Sequence, residues 1–114
     1  MVCDNIYEQR FDLHTHHTDP YLRARMPFYC RAIQEGAAMH ALQCGCANGD
    51  LERQGKSWVL SRFRLQISRY LDWPASFRLQ TWIQEPFRFF APREARGLDE
   101  EGAEIFRSMA YWVI

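Results

Sequence analysis

No apolar run in this chain approaches the roughly 20 residues that a helix needs to cross a bilayer, so a membrane-spanning helix is not expected. The stretch Met1-Val2-Cys3-Asp4-Asn5 has neither the basic nor the apolar region of a signal peptide. Formal net charge is zero and no nucleic-acid-binding motif is present, so no nucleic-acid partner is expected. There is no internal repeat, linker or low-complexity segment, and the composition carries no signature of disorder. These absences leave the expectation of a soluble, cytoplasmic protein. Its 114 residues form one domain with room for a single core and not for two.

Metal and redox signals are equally sparse. Cys3, Cys30, Cys44 and Cys46 contain one Cys-x-Cys step and no second pair, which is not a zinc-knuckle spacing, so reduced thiols are expected. His14 and His16 share one face at strand spacing and Asp19 follows. A fourth ligand is not evident, and three histidines at a strand end read as solvent-facing. Neither a metal nor a cofactor is expected.

Charge is present, but unevenly placed. Residues 1–52 carry −3, residues 53–96 carry +6 and residues 97–114 carry −3. Within the basic third, Arg62, Arg64, Arg69, Arg78, Arg88, Arg93 and Arg96 fall on or beside expected strands. Such a run reads either as a solvated strand face or as a docking surface for an acidic partner or a phosphate-bearing carrier.

The pattern of apolar residues gives an α+β order of one strand, one helix and four strands. Tyr7, Phe11 and Leu13 alternate with Glu8, Arg10 and Asp12, as in a half-buried strand. Pro27 suits the first turn of a helix and Gly45 its C-terminal cap, leaving about 18 residues between. The apolar and small residues of that helix cover most of its circumference, as expected if a sheet wraps around it. Arg31, Gln34 and Glu35 cluster on a narrow polar stripe, with His40 roughly opposite Arg31. Next come a long strand from Trp58 to Tyr70 interrupted at Ser61, and a second over Phe77 to Ile83. A strand from Phe87 to Arg96 follows, in which Pro92 argues for an edge or a bulge, and a last one from Ile105 to Ile114. The turns are Asp72-Trp73-Pro74-Ala75, Glu85-Pro86 and Asp99-Glu100-Glu101-Gly102.

Several motifs together are specific. Trp58-Val59-Leu60-Ser61-Arg62, then Ile67, Arg69-Tyr70-Leu71 and Trp73, resemble the "WVL-x-R … I-x-R-Y-P-x-W" signature of the acyl-acyl-carrier-protein thioesterases. Asp19-Pro20-Tyr21-Leu22-Arg23 is similar to that family's "D-x-x-G-R" loop, with Leu22 standing where the tight turn has Gly. Gln34-Glu35 with His40-Ala41 resembles its "Q-E-x-x-x-x-H-A" helix, and Ser108 to Val113 its "A-T-S-x-W-V" strand. The resemblance runs from about Tyr7 to Ile114 and implies a hotdog fold, in which a long central helix is wrapped by an antiparallel sheet of about five strands. In the family two hotdogs sit in tandem, and this sequence matches the first.

That resemblance sets the candidate residues. The second hotdog of the family supplies an Asp-x-Asn-x-His loop, of which the corresponding loop here keeps only Asp19. Asp19 would act as base or nucleophile at the start of the helix, or else is a turn residue beside Pro20. Glu35 matches a helix carboxylate used by some hotdog thioesterases, or pairs with Arg31 four residues earlier. His40 is a third catalytic candidate, or a hydrogen-bonded core histidine. Trp58, Trp82 and Trp112 line an acyl pocket or serve as core and interface aromatics. Arg62 and Arg93 complete the substrate-binding candidates. The expected function is hydrolysis of fatty acyl thioesters carried on acyl carrier protein or coenzyme A. The alternatives are a catalytically silent acyl-binding half and a structural hotdog without a ligand. A homodimer or a second hotdog domain is the expected partner, paired along the strand from Trp58 to Tyr70.

Overall fold

The alternation at period two is realised first in β1 (Tyr7–Asp12), whose residues are half-buried and exposed in turn. A short 3-10 turn (Thr15–His17) precedes α1 (Met26–Gln43), and β2 (Val59–Ile67), β3 (Ser76–Ile83), β4 (Phe90–Leu98) and β5 (Glu104–Val113) complete the order. This is a computed structural model, and it describes residues 5–45, 53–85 and 90–113. Cys3, Cys46, Pro86, Phe87, Arg88 and Ile114, all used in the sequence reading, lie outside the described residues.

Both helix ends follow local chemistry. Pro27 sits in the first turn, where its missing N–H has no intrahelical partner to lose. Gly45 adopts a left-handed φ of 74° and donates its N–H to the Leu42 carbonyl at 3.2 Å, closing the last turn. The interior of the helix differs from expectation. Phe28, Tyr29, Ala32, Ile33, Gly36, Ala37 and His40 are buried, whereas Arg31, Gln34, Glu35, Ala38 and Leu42 are exposed. The helix is therefore covered along one face and not around its circumference, because the sheet passes under it without closing over it.

The five strands form one antiparallel sheet in the order β1-β3-β4-β5-β2, with α1 lying over β1 and β3. β2 does not pair with its successor β3; it crosses to the far edge and pairs with β5. Its register shifts between Leu60 and Arg62, so the interruption seen at Ser61 is a β-bulge. Pro92 corrects the edge-strand expectation, since β4 lies inside the sheet between β3 and β5. The Pro92 carbonyl accepts from Gln84 N–H at 2.9 Å, just past the last residue of β3. Its side without an N–H thus faces a place where the neighbouring strand has already ended.

The core beneath the helix is aromatic. Phe77 and Phe106 meet edge to face with ring centroids 5.4 Å apart, and Tyr29 stands 5.3 Å from Phe106. The buried Tyr29 hydroxyl accepts the Leu71 N–H at 2.9 Å, tying the helix to the segment after β2. Gly36 lets helix and sheet approach. A Cβ there would lie 2.1 Å from Leu79 Cδ2. Cys30 is a free thiol, but Cys44 is in a disulfide, which corrects the expectation of reduced thiols throughout. No helix among the described residues is long and apolar enough to cross a membrane.

Candidate functional site

The loop leading into α1 is built around a carboxylate. Asp19 Oδ1 accepts the Tyr21 N–H at 2.8 Å and the Arg23 N–H at 3.1 Å. Its backbone accepts from Leu22 N–H and donates to the Arg23 carbonyl, both at 2.9 Å. A chain bent this tightly needs a left-handed residue, and Leu22 takes that role with φ 62°. The turn expected of Gly is thus kept by Leu, at a steric cost of roughly 1–2 kcal/mol. Bonds from Trp73 N–H to Leu22 O and from Ala24 N–H to Leu71 O, both 2.8 Å, hold the loop against the segment after β2. An exposed Arg23–Asp72 ion pair at 3.1 Å crosses the same gap.

Beside this loop three histidines meet. His16 and His17 rings lie 4.0 Å apart, His14 stands 5.6 Å from His16, and His17 packs on Phe28 at 5.0 Å. The Nδ1 of His17 is buried without a hydrogen-bond partner. Burial, then the neighbouring His16, His14 and Arg31, push its pKa below the ordinary histidine value. Its carbonyl accepts the Arg25 N–H at 3.0 Å, so this turn also fixes the start of the helix. Among the described residues no group of three or more His, Cys, Asp or Glu side chains could hold a metal ion.

A second polar cluster lies on the concave, helix-facing side of the sheet. His40 (1% exposed), Thr81 (0%), Ser108 (3%) and Arg93 (7%) are buried polar residues in an otherwise apolar core. Arg93 Nη1 is 2.9 Å from His40 Nδ1 and 3.3 Å from Thr81 Oγ1, and Thr81 donates to the Glu94 carbonyl at 2.7 Å. Since a guanidinium only donates, His40 Nδ1 accepts and the ring proton sits on Nε2. Tyr7 stacks on the His40 ring at 5.8 Å. Ser108 Oγ has no partner.

The other sheet face is charged. Arg96 and Arg107 flank the Trp82 ring at 5.8 and 5.7 Å, Arg96 donates to Gln80 at 2.8 Å, and Arg107 pairs with Glu104 at 2.8 Å. Arg62 and Arg64 are in register with Tyr111 and Met109 on this same face. Both are exposed, and among the described residues neither has a carboxylate partner. Arg69, grouped with them on sequence, instead pairs with Asp99.

The sequence candidates are therefore dispersed. Asp19 is in the loop before the helix; Glu35 is exposed on the outward side of α1, with no ion pair to Arg31 among the described residues; His40 is buried against the sheet, about 21 Å along the helix from Met26 at 1.5 Å per residue. Arg93 joins His40, Arg62 lies on the opposite face, and Trp82 is held there against two arginines and not under the helix. Trp58 is half-buried just before β2. Sequence reasoning passed over Thr81 and Ser108. Thr81 was marked only by its place on an apolar strand face, and Ser108 only by opening the motif Ser108 to Val113.

Compared with known proteins, residues 4–114 match the family model for the acyl-ACP thioesterase N-terminal domain. No curated protein matches the chain. The fold superposes on an acyl-ACP thioesterase from Bacteroides thetaiotaomicron with a TM-score of 0.91 and 25% identity, over 96% of this chain and 45% of that one. For a 12:0-ACP thioesterase from Umbellularia californica the TM-score is 0.85, with 20% identity over 95% of this chain and 42% of that one. A DHNA-CoA thioesterase from Staphylococcus aureus gives a TM-score of 0.83 and 13% identity, over 95% of this chain and 72% of that one. The chain spans less than half the length of the first two structures.

Proposed function

The chain belongs to the acyl-ACP thioesterase family, as a match to its N-terminal domain, and from that premise we propose that it serves the hydrolysis of fatty acyl thioesters by binding the acyl chain. The observation that carries this is the uncovered part of the concave face. α1 lies over β1 and β3, while on β2 and β5 Leu60 and Phe63 stay exposed and Leu65 and Trp112 half-exposed on the helix-facing side. These apolar side chains beside the helix form a surface that suits an extended alkyl chain.

Asp19, in the loop that leads into α1, is the acid of this chain that would act on the thioester. Its Oδ1 is taken by two backbone N–H groups, which orients the carboxylate and leaves Oδ2 to activate water. Asp19→Asn keeps an accepting oxygen for the turn and so separates chemistry from folding. Turnover of an acyl thioester falls by about 10²–10⁴ in that variant if Asp19 is the base. Unchanged turnover shows that Asp19 is not the base and moves the assignment to another acid of the chain, Glu35 first.

The edge of β2 is where a second hotdog would pair in this reading. Its outer side pairs with no strand among the described residues, and Val59, Leu60 and Phe63 along it are exposed, an arrangement that invites strand pairing. When only this chain is present the companion is a second copy. Light scattering at micromolar concentration is expected to give a dimer; a soluble monomer counts against a self-sufficient enzyme and for a half that needs a different partner. Acidic carrier protein is the preferred carrier in this reading, docking through Arg62 and Arg64 on the convex face.

A further inference from the structure

A single exposed apolar side chain needs no explanation, but a group of them marks a contact. Tyr21 (88% exposed), Leu22 (43%), Met26, Tyr70 and Trp73 (41%) form such a group where α1 begins. They lie on two segments tied by backbone bonds. Arg23 bridges Asp72, and the bonds from Ala24 N–H to Leu71 O and from Trp73 N–H to Leu22 O on either side of that bridge set Leu22 opposite Trp73. Ala24 and Leu71, the inner pair, are each 4% exposed, so the segments are anchored in the core and present Leu22 and Trp73 at their outer end. Tyr70 stands 5.8 Å from Tyr29 in the first turns of the helix. Leu22 is the least expected of the five. At φ 62° a glycine would escape the steric cost of left-handed backbone, and a leucine this exposed recovers little of that cost by burial. Strain that the fold does not reward points to a use for the side chain outside the fold.

The charges around the group indicate what it meets. Arg23 and Arg69 are paired with Asp72 and Asp99. Arg25, the N-cap of α1, and Arg31, about 7.5 Å along the helix from Met26, are exposed and have no carboxylate partner among the described residues. Asp19, the other acid of these segments, gives its Oδ1 to two backbone N–H groups. The uncompensated charge at this end is therefore positive. A protein partner would have to offer a pocket to the protruding Tyr21, whereas a bilayer interface receives such a ring as it stands. Tyr and Trp rings settle at the level of the headgroups, aliphatic side chains reach the acyl boundary, and arginines are drawn to an anionic surface. We propose that this end of the chain seats on an anionic lipid bilayer, through Tyr21, Leu22, Met26, Tyr70 and Trp73, with Arg25 and Arg31 at the rim. The contact is interfacial, since no helix among the described residues is long and apolar enough to cross a membrane. It does not depend on the acyl-thioester reading, although it sets the Asp19 loop against the lipid.

Flotation of the chain with vesicles of phosphatidylcholine mixed with phosphatidylglycerol, and with vesicles of phosphatidylcholine alone, tests this. Wild type is expected to float with the mixed vesicles and to prefer them to the neutral ones. Arg25→Gln with Arg31→Gln is expected to lower partition into the mixed vesicles about 25-fold, roughly fivefold for each arginine near an anionic surface, and to remove most of that preference. Tyr21→Ser with Leu22→Gly is expected to lower partition into both kinds of vesicle about tenfold, by loss of inserted apolar surface. Leu22→Gly alone is expected to melt no lower than wild type, because relief of the left-handed backbone offsets the lost leucine contacts, and Tyr21→Ser changes a side chain that is almost wholly in solvent; weaker binding in these variants is then not damage to the fold. Wild type that stays behind when the mixed vesicles float overturns the proposal, as does equal flotation of wild type and the Tyr21→Ser, Leu22→Gly variant. Should wild type ignore vesicles while that variant turns a dimer into a monomer in light scattering, the group is a contact between copies and the proposal falls.

Discussion

The two faces of the sheet use the same residue types for opposite purposes. On the concave face Arg93 is buried, with its guanidinium on His40 and Thr81. Three residues on along the same strand, Arg96 lies on the convex face beside Trp82 and Gln80. Trp82 and Thr81 are adjacent in sequence, yet one lies against two arginines on the outer face and the other is fully buried. Register parity, not residue type, decides whether a polar group here belongs to the core or to the solvent. In this chain the functional readings divide along the same line, with acyl recognition inside and carrier contact outside.

The sharpest way to break the comparison is to remove one arginine from each face. Arg93→Ala disrupts a buried hydrogen-bond network and leaves a void, and is expected to cost about 2–4 kcal/mol in urea unfolding. Arg96→Ala touches only a half-exposed contact and stays within about 0.5 kcal/mol. Similar losses for the two would show that the faces are not energetically distinct.

The outer face is next. Arg62→Ser with Arg64→Ser is expected to raise KM for carrier-linked acyl substrate several-fold and to leave KM for the same acyl group on a small thiol unchanged. The difference shrinks with salt, since exposed charges are screened beyond about 10 Å at 0.1 M. An equal rise for both substrates points to damage to the fold instead.

The smallest effect concerns the histidine turn. The folded state holds the His17 pKa below its ordinary value, so the unfolded chain binds the proton more readily. Stability is therefore full above the unfolded value near 6.5 and declines as pH falls through it toward the lower folded pKa. His17→Gln is expected to flatten the melting temperature between pH 7 and pH 5 relative to wild type. An unchanged profile would place the acid sensitivity elsewhere.

Local chemistry was legible in the sequence. Pro27 and Gly45 mark the helix ends because each acts on its own backbone, and the alternation of Tyr7 to Leu13 and of Phe77 to Ile83 marks strands because period two is a property of the chain itself. Ser61 betrayed its bulge for the same reason. The motifs from Asp19 to Val113 were enough to reach the family. The position of β2 at the far edge, the interior place of β4 despite Pro92, and the pairing of Arg69 with Asp99 were decided only in three dimensions. So were the lone Ser108 hydroxyl and the Asp19 carboxylate turned onto its own loop. Each of these depends on which groups arrive opposite one another across the sheet or across a turn, and burial and hydrogen-bond partnership do not exist until distant segments have met.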